Sequence, residues 1–126
     1  GMGHHRLYSG GDVDSSQIAV IKVDGDLEVR EIDGKPGNCT SSIGYSGKPR
    51  AKKYCGSRWD GSLVIEVLPG TYVFTIGLVG LASGSLYFSK ADKKLTLEAK
   101  PGAVYSIEGI RSGLNWELKV TKIKSL

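Results

Sequence analysis

A chain of 126 residues with 40% hydrophobic and 24% charged side chains, 18 Gly, 4 Pro and 2 Cys has an ordinary globular composition, which argues against a disordered polymer, a collagen repeat or a disulfide-dense miniprotein. Its length suits one domain that buries roughly two-thirds of its extended surface, so a core can form without a metal. The 17 Lys+Arg exceed the 13 Asp+Glu to give +4, and no apolar run reaches the roughly 18 residues that a membrane-spanning helix needs.

Residues 1–17 read as a flexible N-terminal segment. Gly1 before Met2 has the form left by cleavage of a purification tag and is set aside from fold reasoning. Met2 is then either the native start of a cytosolic protein or an internal residue behind a removed signal segment. His4 and His5 are the only histidines. Neighbours on an extended chain point to opposite sides, which argues against a metal pair.

From Ile18 the chain becomes a series of short β-branched and aromatic runs separated by Gly, Pro, Asp and Ser. The runs are 18–23, 27–32, 63–68, 72–79, 85–88, 95–99, 104–110 and 116–123, or about eight strands. Asp24-Gly25-Asp26 reads as a tight hairpin in which Gly25 supplies a positive φ. Leu68-Pro69-Gly70-Thr71 and Lys100-Pro101-Gly102-Ala103 both read as type II turns, with Pro second and Gly third. Tyr72, Phe74, Ile76 and Leu78 share one side of their strand. Leu95, Leu97 and Ala99 oppose Lys94, Thr96, Glu98 and Lys100, and Trp116, Leu118 and Val120 oppose Glu117, Lys119 and Thr121. Gly77, Gly80 and Gly84 leave the stretch around Leu78 to Leu81 open to a bulge or a loop. One wet face per strand predicts an all-β fold, an antiparallel β-sandwich spanning 18–126 as a single domain.

The exception is 35–60, an inserted loop without strand character that holds both cysteines. A bridge between Cys39 and Cys55 would remove about 3 kcal/mol of unfolded-state entropy on the chain-entropy model and define the loop. It would also place the protein in an oxidising compartment. The alternative is two free cytosolic thiols. The loop carries Lys35, Lys48, Arg50, Lys52, Lys53 and Arg58 against Asp60 alone, +5 in a chain whose remainder sums to −1. Tyr45, Tyr54 and Trp59 are interleaved with these cations. Tyr45, Lys48, Arg50, Lys52, Lys53, Tyr54, Arg58 and Trp59 are therefore the candidate surface for an anionic lipid head group, an acidic polysaccharide or a partner protein. The competing reading is a solvated loop whose lysines confer solubility and whose aromatics cap the sandwich. Nucleic acid fits less well, because its readers spread Arg along a strand platform and here the cations sit in one loop.

Catalytic motifs are missing. Around Gly47-Lys48 a phosphate-binding loop would need Gly at Ser42 and Ser or Thr at Pro49. No His lies outside the N-terminal segment to activate a Ser or Cys. The aspartates lack calcium-loop spacing. Asn38-Cys39-Thr40 fits a glycosylation acceptor that would compete with a bridge at Cys39. Glu66 and Glu108 lie on predicted strands, which leaves a carbohydrate- or cell-wall-active hydrolase as the alternative function. No cofactor and no metal are expected.

Ile18 to Ile21, Ile32-Asp33-Gly34, Leu68-Pro69-Gly70-Thr71-Tyr72, Leu97 to Gly102 and Tyr105-Ser106-Ile107 together resemble small bacterial periplasmic lipoproteins with PEGA-like or transthyretin-like β-sandwiches. The likeness covers about 18–123, and the basic loop departs from it. The resemblance implies a non-enzymatic binding or scaffolding domain of the cell envelope, periplasmic or at the surface. Its membrane attachment would come only through a lipid-modified Cys preceding the chain.

Overall fold

The computed structural model describes residues 3–37, 54, 63–82, 85–89, 91–113 and 115–125. The strands are β1 (Gly3–Arg6), β2 (Ala19–Val23), β3 (Leu27–Ile32), β4 (Lys35–Pro36), β5 (Leu63–Val67), β6 (Gly70–Ala82), β7 (Ser85–Phe88), β8 (Lys93–Ala99), β9 (Ala103–Ser112) and β10 (Asn115–Ser125). One sheet runs β1-β5-β2-β9-β10. The other runs β4-β3-β6-β7, with β8 also paired to β6. All eight expected strands are present, and the two additional ones are short.

Alternation places the core between the sheets. Ala19, Ile21, Val23, Leu63, Ile65, Val67, Ala103, Tyr105, Ile107 and Trp116 come from one sheet, and Leu27, Val29, Ile32, Phe74, Ile76, Leu78, Leu97 and Ala99 from the other. Successive inward positions are two residues apart, as the pleat requires. β3 departs from this because Arg30 is an extra residue: Val29 pairs with Ile76 and Glu31 with Thr75. This bulge lets Val29 and Ile32, three apart in sequence, both reach the core.

Several expectations need correction. The first sheet is mixed rather than antiparallel, since β1 pairs with β5 and β2 pairs with β9 in parallel. Part of the segment 1–17 is built into the fold: β1 adds an edge strand, Leu7 packs against the core, and a 3-10 turn at Ser15–Gln17 is capped by the Asp14 side chain. Asp24-Gly25-Asp26 is an arch between the sheets, not a hairpin. The Asp24 amide donates to Ile107 O, Val79 N donates to Asp26 O, and Leu27 N closes the turn on Asp24 O at 3.0 Å. Gly25 is not among the residues with positive φ, because a turn that changes sheets has no need of the mirror-image geometry of a hairpin.

A tight hairpin forms instead at Asp33-Gly34 between β3 and β4. Ile32 pairs with Lys35, and the two turn residues take φ 54° and 76°, the left-handed pair of a type I′ turn. Asp33 also clasps β6, its amide donating to Val73 O at 2.7 Å and its carboxylate accepting from Val73 N at 2.8 Å. Lys100 to Ala103 forms the expected turn, with Gly102 at φ 74° and Ala103 N donating to Lys100 O. Gly70, at φ 157°, instead begins β6 opposite Ala99. The glycine-rich stretch is strand: β6 continues to Ala82 and pairs with β7.

Candidate functional site

The basic excursion lies in sequence between β4 and β5. β4 lies at the edge of one sheet, where Pro36 pairs with Glu31 and Gly37 N donates to Arg30 O. Leu63, which opens β5, pairs with Val23, the last residue before the arch. Both roots therefore lead toward the end of the sandwich that carries Asp24 and Asp26. Within the excursion the described residue is Tyr54. It is 4% exposed, belongs to the same buried cluster as Phe74 and Ile65, and takes φ 68°.

That placement changes the role of Tyr54. An aromatic proposed to meet a partner is instead a core residue, which fastens the excursion to the body between its two roots. Burying such a ring is worth about 2–3 kcal/mol, more than the 1–2 kcal/mol a left-handed backbone costs a non-glycine residue. Tyr45, Lys48, Arg50, Lys52, Lys53, Arg58 and Trp59 lie outside the described residues, as do Cys39, Cys55 and Asn38. Lys35 is described and exposed on β4.

A second charged feature, absent from the sequence reading, sits on the outer face of the β3–β6 sheet. Glu28 is 5% exposed. Arg30 Nη2 lies 3.5 Å from Glu28 Oε1, and Arg30 Nε lies 3.4 Å from Asp92 Oδ1. The guanidinium crosses β6 directly over Gly77, where an added Cβ would meet Nε at 2.5 Å. Glycine thus opens the lane along which Arg30 spans from β3 to the β7–β8 connection. Gly77 was the signal the sequence held, since a Gly inside a strand pattern marks close approach by another group.

The carboxylates considered for hydrolysis do not converge. Glu66 pairs across β2 with Val20, which pairs with Val104, four residues before Glu108. Strand spacing and rise put the two backbone positions about 17 Å apart, whereas glycosidase carboxyl groups stand about 5–9.5 Å apart. Glu66 instead faces Arg6 at 3.5 Å, and Glu108 is opposite Lys119. Among the described residues no group of three or more His, Cys, Asp or Glu is arranged to hold a metal ion. Nor is any helix among them long and apolar enough to cross a membrane.

Tyr72 and the Glu98–Lys100 pair carry shifted groups on the surface near the turns. Burial, reinforced by the Asp33 carboxylate, raises the pKa of Tyr72, whose hydroxyl donates to Leu68 O at 2.7 Å. A hydrogen bond from Lys100 Nζ at 2.6 Å holds the Glu98 carboxyl below its ordinary pKa. Both are features of turn and strand surface rather than of a reacting centre. Comparison of the chain with protein-family models, curated proteins and solved structures finds no match.

Proposed function

We propose that this protein is a non-enzymatic binding or scaffolding domain of a bacterial cell envelope, periplasmic or at the surface, in which a rigid β-sandwich presents a basic excursion to an anionic partner. The observation that carries the reading is Tyr54. Its burial roots the excursion in the core, so that Lys48, Arg50, Lys52, Lys53 and Arg58 are carried close in sequence to an anchored residue rather than on a free tail. Cations held near a fixed point lose less freedom on binding than cations on a free chain. The partner class is an anionic lipid head group, an acidic polysaccharide or the acidic face of a protein. A bridge between Cys39 and Cys55 would add a second fastening beside Tyr54 and would agree with export.

The resemblance to periplasmic PEGA-like or transthyretin-like domains is the second ground for this reading. Of the two elements that mark hairpins in such domains, Asp33-Gly34 closes a hairpin here and Pro69-Gly70 does not. The experiment is retention of the folded protein on an immobilised acidic polysaccharide along a salt gradient. Replacing Lys48, Arg50, Lys52 and Lys53 with Ser should move elution to the void. Unchanged elution removes the excursion from the binding account. Alkylation followed by mass measurement, with and without reductant, tests the compartment: a bridged protein is labelled only after reduction, and labelling of both thiols beforehand contradicts export.

A further inference from the structure

The chain contains three Asp-Gly pairs, at 24–25, 33–34 and 60–61. The first two lie among the described residues, and the fold holds their carboxyl groups differently. In the arch, Gly25 N donates to the carboxylate of its own neighbour, Asp24 Oδ1, at 2.8 Å. Asp24 is exposed, and no atom lies within 4 Å of the point where a Cβ on Gly25 would stand. The Gly25 nitrogen is thus set against the Asp24 carboxyl group in open surroundings. At Asp33 the carboxylate is committed elsewhere: it accepts from Val73 N at 2.8 Å, while the Asp33 amide donates to Val73 O at 2.7 Å. The type I′ turn also fixes Gly34 at φ 76°.

We propose that the arch is a modification site at which Asp24 cyclises onto Gly25 to a succinimide and reopens as isoaspartate, whereas the clasp on Val73 protects Asp33. Water is the only co-reactant. The Gly25 nitrogen gives up its proton to solvent and attacks Cγ of the protonated carboxyl group; a C–N bond forms, a C–O bond breaks, and one water leaves. Glycine favours this step because no side chain crowds the nitrogen. The 2.8 Å contact supplies in advance the proximity that a free chain must find by rotation. Water then adds across the imide. Opening at the side-chain carbonyl restores Asp24; opening at the main-chain carbonyl leaves isoaspartate, with the backbone routed through Cβ and Cγ and the former main-chain carbonyl a free carboxylate. The product lengthens the backbone by one carbon in a segment held at both ends, since Asp24 N donates to Ile107 O and Val79 N to Asp26 O. It also turns Asp24 O, the acceptor for Leu27 N, into part of that carboxylate. Conversion therefore loosens the arch that joins the two sheets. None of this depends on what the basic excursion binds.

The test incubates the full chain in neutral buffer at physiological temperature, folded and, in parallel, unfolded in guanidinium chloride. After reduction, trypsin separates Asp24, in 23–30, from Asp33, in 31–50. Isoaspartate is read as a peptide of unchanged mass and altered retention that takes up a methyl group from S-adenosylmethionine with isoaspartyl methyltransferase; the succinimide is lighter by one water. In the unfolded chain both peptides should convert at similar rates. In the folded chain 23–30 should convert at least about tenfold faster than 31–50. Gly25→Ala, whose methyl meets no other group at a φ outside the left-handed region, should keep the native spectrum and slow conversion of 23–30 by about tenfold. Hydrogen exchange on the converted protein should show lost protection at the Leu27 amide. No conversion of 23–30 in the folded chain, conversion of 31–50 at the same rate or faster, indifference to Gly25→Ala, or an unchanged Leu27 amide would each overturn the proposal.

Discussion

Gly77→Ala is the substitution for which the structure makes the sharpest energetic statement. The new methyl would lie 2.5 Å from Arg30 Nε and 2.6 Å from Nη2, so the guanidinium must leave its lane over β6. It then gives up Glu28 and Asp92 together. Removing the cation beside a fully buried carboxylate costs about 3–5 kcal/mol. Here Glu28 is enclosed but the side chains of Arg30 and Asp92 are about one-third exposed, which reduces the loss to about 2 kcal/mol. Replacing Gly with Ala inside a strand returns about 0.5–1 kcal/mol, leaving a net destabilisation of about 1–1.5 kcal/mol. In an Arg30→Ala background the obstruction is gone, and the same change should be neutral or stabilising. The assay is urea unfolding of the four proteins of the cycle, read as midpoints at constant slope. Equal losses from Gly77→Ala with and without Arg30 would refute the reasoning, because the cost would then come from the strand and not from the guanidinium.

Tyr54→Ala should destabilise by about 3 kcal/mol through loss of a buried ring. Tyr54→Gly, which loses the same ring but accepts the left-handed backbone, should be the more stable of the two by about 1 kcal/mol; the reverse order in urea would contradict the conformation assigned to residue 54. Asp33→Ala should cost about 1–2 kcal/mol by removing both a turn residue at ease with positive φ and the acceptor for Val73 N, while Asp33→Asn should lie within about 0.5 kcal/mol of wild type. Tyr72 should ionise above the ordinary tyrosine value. Its neutral form is favoured by the fold, so its contribution to stability is full below the unfolded pKa of about 10 and is lost as pH rises through the raised value. The resonances of the Tyr72 ring followed to alkaline pH check this, and Asp33→Asn should bring the midpoint down.

Much of the fold was readable because strands such as β8 alternate between a buried and an exposed face. Leu95-Thr96-Leu97-Glu98-Ala99 and Trp116-Glu117-Leu118 allow a single orientation, and those faces do point to the core. What alternation does not encode is which strand lies beside which. Val20 and Val104 are each half of a parallel pair that joins β2 to β9, and nothing in either sequence names its neighbour. The arch at Asp24-Gly25-Asp26 looked like a hairpin because the same small polar residues serve both turns. Only the sheet bonds made by Asp24 and Asp26 separate the two. β1 was missed because four residues rich in His carry no apolar period. In the basic excursion composition identified the cations and left Tyr54 between two readings, partner surface or cap on the sandwich, of which its burial supports the second. An aromatic between lysines has no period by which its burial could be foreseen. The Arg30 crossing depends on a bulge, which adds one residue without altering composition.

The central claim is that cations beside a rooted tyrosine recognise an anionic surface. Titrating the folded protein with phosphatidylglycerol vesicles, and with neutral phosphatidylcholine vesicles as reference, measures it most directly. The account predicts binding to the anionic vesicles that weakens steeply as salt rises and disappears when Lys48, Arg50, Lys52 and Lys53 are replaced by Ser. Equal affinity for both vesicle types, or anionic binding that survives the four replacements, would contradict it.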